Sequence, residues 1–75
     1  MPSLREQLAN ARADMEVVRQ RIETQTALIE RLQSDGHDTG AAEELLATFL
    51  GLLGKLSLHQ EALERDAEER SRNQN

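Results

Sequence analysis

Residues 34–40 read "SDGHDTG". This stretch decides the fold because of what lies on either side of it. No glycine or proline interrupts the chain from Ser3 to Ser34, and after Gly40 the same apolar rhythm begins again. Gly36 is well placed just past a helix end, where the backbone turns left-handed and glycine does so without steric cost. Asp38 or Thr39 can then cap a second helix, with Glu43 and Glu44 near its positive end.

Upstream, "SLRE" has the form of a capping box, with Ser3 as N-cap and Glu6 at the third helical position. The apolar residues then run Leu4, Leu8, Ala11, Met15, Val18, Ile22, Ile29 and Leu32, with Gln25 the one polar residue in the series. Steps of four and three alternate throughout, which is a heptad seam. Leu8, Met15, Ile22 and Ile29 take position a, and Leu4, Ala11, Val18 and Leu32 take position d. Downstream the series is Ala42, Leu46, Phe49, Leu53, Leu56, Leu63 and Ala67, interrupted by Gln60. Glu61–Arg65, Asp66–Arg70 and Glu68–Arg72 are pairs four apart in the favourable order.

These patterns predict an all-α chain: an antiparallel two-helix hairpin forming one domain over 1–75. Helix one is expected over about 3–34, the turn over 35–39, helix two over about 40–71 and a frayed tail over 72–75. Each helix has roughly 30 residues, or about 45 Å, and a short turn between equal helices makes them antiparallel neighbours. Folding at Gly36–His37 pairs positions whose numbers sum to 73–76, as a rough register rule. Leu32 then meets Ala42, Ile22 meets Leu53, Val18 meets Leu56 and Ala11 meets Leu63. Arg12 falls near Glu64 on one flank; Asp14 falls near His59 and Leu28 near Leu45 on the other. The expected core is Leu8, Met15, Val18, Ile22, Ile29, Leu46, Phe49, Leu53, Leu56 and Leu63. A straightened single helix, or helices exchanged between subunits, is the competing topology, and Gly36 and Gly40 favour the hairpin.

Composition narrows the classes. Seventy-five residues build little core, and chains this short often need a partner or a cross-link. There is no cysteine, so disulfides and thiolate metal sites are excluded. Phe49 is the sole Phe, Trp or Tyr, and there are only two valines and two isoleucines, which argues against a β-sandwich or barrel. The net charge of −5 runs against nucleic-acid binding. No signal-like h-region opens the chain and no apolar run reaches the ~18 residues of a membrane span. A cytoplasmic protein is expected.

The stretch 45–59, "LLATFLGLLGKLSLH", has more apolar surface than one seam can cover. Leu45 and Leu52 lie at g and Leu50 at e, and Leu28 joins them from helix one. The apolar face is that of a helix with more than one neighbour. On its far side Ala47, Gly51, Gly54 and Leu58 form a ridge of small residues. A glycine inside a helix costs about 1 kcal/mol relative to alanine, and close approach of another helix would account for two of them. The economical solution is a homodimer, two hairpins in a four-helix bundle with the turn-proximal halves of helix two in the middle. Leu28, Leu45, Phe49, Leu50, Gly51, Leu52 and Gly54 are the expected oligomer interface. The ends, Leu4–Arg12 and Leu63–Arg72, look thinner and more charged. Two rival occupants of 45–58 are a different protein, docking as a helix in a groove, and a membrane surface. The acidic flanks and single lysine speak against the membrane.

No residue pattern points to catalysis, a cofactor or a metal. "DGHD" at 35–38 offers three ligand-type side chains, but it reads as a turn, with no second cluster or helical ligand spacing beside it. His59 reads as an edge residue beside Asp14, a pairing that would make stability depend on pH. Arg5, Arg12 and Arg19 recur every seven residues at e. They are the candidate stripe for a nucleic-acid-binding bundle, yet Asp14, Glu16 and Glu23 lie among them and no aromatic ring is there to stack on a base. Gln25 and Gln60 are expected to fix register. A non-enzymatic, self-associating interaction or regulatory protein is the expected function.

The pattern "GHDTGAAEELLATF", followed by leucines and "LHQ", resembles one found in short bacterial helical-hairpin proteins with no assigned function. The resemblance covers roughly Val17 to Arg65. It implies a bacterial source and a hairpin, and it implies no activity.

Overall fold

The computed structural model describes residues 2–73. It contains two helices, α1 (Leu4–Ser34) and α2 (Gly40–Arg72), packed against each other as a hairpin. The molecule is a rod of 63 × 18 × 15 Å.

Each helix end is explained by local chemistry. The Ser3 hydroxyl accepts the Glu6 N–H at 3.1 Å, one of the two bonds of the expected box. At the other end of α1, Gly36 adopts φ +74°. The Gly36 N–H donates to the Gln33 carbonyl at 3.1 Å and the His37 N–H to the Leu32 carbonyl at 2.8 Å. Those two bonds make a Schellman cap, and they turn the chain back within a few residues. Thr39 occupies the N-cap of α2, but its hydroxyl caps nothing. The capping atom is Oδ1 of Asp38, which accepts the Gly40 N–H at 2.9 Å. At the C-terminus the helix runs one residue past the expected end, with Asn73 as C-cap. Residues 74 and 75 of the expected frayed tail lie outside the described residues.

The seam forms as the spacing predicts. Every seam position of both helices is buried or half-buried, and nearly every other helical position is exposed. The depth of burial differs from expectation. Met15, Val18, Ile29 and Leu63 are buried, and so are Ala11 and Gln25, whereas Leu8, Ile22, Leu46, Phe49, Leu53 and Leu56 are half-covered. Two helices make one line of contact, so a large side chain in the seam is covered by the opposite helix and stays open above and below. The distal ends are unevenly covered: Ala11 and Leu63 at their inner edges are buried, whereas Leu4, Leu8 and Ala67 beyond them are half-covered.

Gln25 is buried in the seam without being orphaned. Its Nε2 donates to the Ala42 carbonyl at 2.9 Å, tying α1 to the first turn of α2. Gln60 makes no such cross-tie; its Nε2 donates to Glu64 Oε1, one turn on in the same helix. Of the two seam glutamines, Gln25 is the one hydrogen-bonded across to the other helix.

Candidate functional site

The heptad positions sort the outer residues onto two flanks. On the e flank Arg12 meets Glu64 at 3.9 Å, the pairing that the register predicts. On the g flank lie Asp14, Arg21 and Leu28 of α1, and Leu45, Leu52 and His59 of α2.

An apolar groove runs along the g flank. Two adjoining hollows of about 400 and 430 Å³ share Val17, Arg21 and Phe49. Leu45 and Thr24 line the one nearer the turn, and Asp14, Leu52 and Leu56 the other. The floor is the half-buried seam, Phe49 and Leu56; the walls are Val17 and the leucines at g. Leu28, Leu45, Leu52 and Val17 are each 42–50% exposed. In water such a row is an unfilled hydrophobic surface. Arg21 is the groove's basic edge and Asp14 its acidic end.

Of the expected interface residues, Leu45, Phe49 and Leu52 line this groove, and Leu28 lies on the same flank. Leu50 does not. It lies on the e flank, 51% exposed, next to the small-residue ridge. Gly51 and Gly54 face open space: beyond the adjoining helix backbone and the neighbouring residues, nothing lies within 4 Å of where a Cβ would stand. The six of them on α2 are thus divided between two sides of that helix. Sequence spacing alone missed the contribution of Val17. It sits one position outside the a/d/e/g set, and its β-branched body at position c was the available signal.

The arginine stripe is differently engaged along its length. Arg12 is paired with Glu64, and Arg5 and Arg12 border a hollow of about 370 Å³ with Leu4, Leu8, Ala9 and Ala67. Arginine stems over an apolar hollow, with the heads in water, are a packing arrangement. The ion pairs among the described residues are Arg12–Glu64, Asp66–Arg70 and Glu68–Arg72. Asp14 and His59, expected beside each other, form no such pair. Among the described residues no three His, Asp or Glu side chains are grouped as a metal site, and no helix is long and apolar enough to cross a membrane.

Comparison with family models, with curated proteins and with solved structures finds no match to this chain.

Proposed function

We propose that the hairpin is a non-enzymatic interaction module whose first partner is a second copy of itself, joined through the g-flank groove to make a four-helix bundle. The observation that carries this reading is the surface area. The chain exposes 5864 Å². A compact monomer of its mass exposes about 4,600 Å². The excess is on the order of 1,200 Å², and a standard interface covers about 800 Å² on each partner. Part of that excess follows from the elongated rod, and an interface of standard size would cover about two thirds of it. The location agrees: the excess includes a continuous row of leucines above a half-open seam, and two such rows complete each other's cores.

The test is light scattering behind size exclusion at two loading concentrations, near physiological salt. The expected result is a dimer for the wild type and a folded monomer for Leu52→Glu. Leu52 is 43% exposed in the hairpin, so a carboxylate there reaches water in the monomer and is buried only in the dimer. A wild-type chain that stays a folded monomer at both concentrations refutes the reading. A Leu52→Glu variant that remains dimeric moves the interface off this groove.

A further inference from the structure

Resting on that reading, we infer how the second copy docks: the two hairpins lie side by side with their turns at the same end, related by a twofold axis along the rod. The argument is the distribution of side chains along the groove. At 1.5 Å per residue, Leu28 and Leu45 both lie about 13 Å from the turn, Leu52 about 23 Å and Val17 about 29 Å. Beyond them, at about 34 Å, the flank becomes charged with Asp14 and His59. The apolar surface therefore belongs to the turn-proximal part of the rod and is not symmetric about its middle.

An axis along the rod sets each height against the same height in the other copy. Helix α1 of one hairpin then lies over α2 of the other, and every neighbouring pair in the bundle is antiparallel. Leu28 and Leu45 of both chains close one layer. The Arg21 stem covers Leu52 of the second copy while its head reaches the rim. Asp14 comes opposite His59 and close to Lys55 of the second copy, a carboxylate against the basic groups of that face. An axis across the rod does the reverse. With full overlap it lays the Leu28–Leu45 layer over Asp14 and His59, covering a carboxylate with leucine and stripping it of water without a partner.

The chain has no cysteine, so a single substitution gives a unique attachment point for a nitroxide label. His37→Cys marks the turn and Ser71→Cys the opposite end; both residues are exposed. Dipolar electron spin resonance on each labelled full-length chain then reads the distance between copies. The inferred arrangement gives short distances at both sites, under about 30 Å for helices packed 8–10 Å apart. Turns at opposite ends give about 50 Å at position 37, from the length of the helices, and overturn the inference while leaving self-association standing. An exchanged dimer with the turns opened gives a short distance at 37 and one of about 100 Å at 71, which also overturns it. A mixture of short and long distances shows no fixed arrangement and does the same. No dipolar coupling at all, with monomer mass in solution, removes both the arrangement and the dimer beneath it.

Discussion

Replacing Gly51 and Gly54 together by alanine separates the two sides of α2. Both glycines lie inside the helix with ordinary negative φ, and a Cβ at either meets nothing within 4 Å. In the hairpin, each substitution removes a glycine's backbone entropy cost and adds no clash. The gain is about 0.8–1 kcal/mol per site, or about 2 kcal/mol for the pair. For a domain of this size 1 kcal/mol moves the midpoint by roughly 4–8 °C, so the double variant should melt about 8–16 °C higher. A dimer formed through the groove, as proposed, would leave the ridge facing outward, and the same rise is then expected in the assembled protein. Thermal unfolding by circular dichroism, at matched chain concentration because assembly itself raises the midpoint, reads it directly. An unchanged or lower midpoint would refute the reasoning. It would mean that another backbone lies against the ridge and that the Leu50 side, not the Leu45–Leu52 side, is the subunit interface.

Gly36→Ala forces an alanine into the left-handed region and should cost about 1–2 kcal/mol in urea unfolding, with Gly36→Asn in between. Gly40→Ala, on an ordinary helical φ with Oδ1 of Asp38 3.4 Å from the added Cβ, should fall well short of that loss. Gln25→Ala removes the bond to the Ala42 carbonyl and some packing, and should lower stability by about 1–2 kcal/mol in the same assay. Arg12→Ala should change stability by less than about 0.5 kcal/mol, because the Arg12–Glu64 pair is long and its side chains are largely exposed. A larger loss would mean that the arginine stem's packing over Leu8 dominates its charge.

The seam was legible in the sequence because a heptad is a statement about direction: each step of three or four keeps the side chain on one face. That is why Leu4 through Leu32 and Ala42 through Ala67 all turn inward, and why Gly36 could be read as the reversal. Depth along the seam was not legible. It depends on packing in three dimensions, and Ala11 and Leu63 come out buried where Phe49 and Leu56 stay half-covered. Nor could the spacing reveal which polar seam residue would tie the helices, since the acceptor for Gln25 is a backbone carbonyl that every residue carries. The capping role of Asp38 rather than Thr39 was likewise a choice between neighbours that only the turn's backbone resolves. The two sides of α2 were merged for a related reason: e and g flank the same seam, and only a three-dimensional groove shows that Leu50 and Leu52 look in opposite directions.

The Schellman cap at Gln33–His37 also sets an order of events. Once Gly36 reverses the chain, Leu32 and Ala42 lie ten residues apart and are the first to meet, while Ala11 and Leu63 are separated by more than fifty. Loop-closure cost grows only with the logarithm of that separation, so the helices can close progressively from the turn, as a zip does. The well-covered layer of Ala11, Met15 and Leu63 then engages late, with only Leu8, Leu4 and Ala67 of the seam beyond it. A hairpin that zipped only halfway would have its turn and groove leucines in place but its ends apart. The burial of Ala11 and Leu63 works as a clasp, and amide exchange at the two free ends should report whether it is shut.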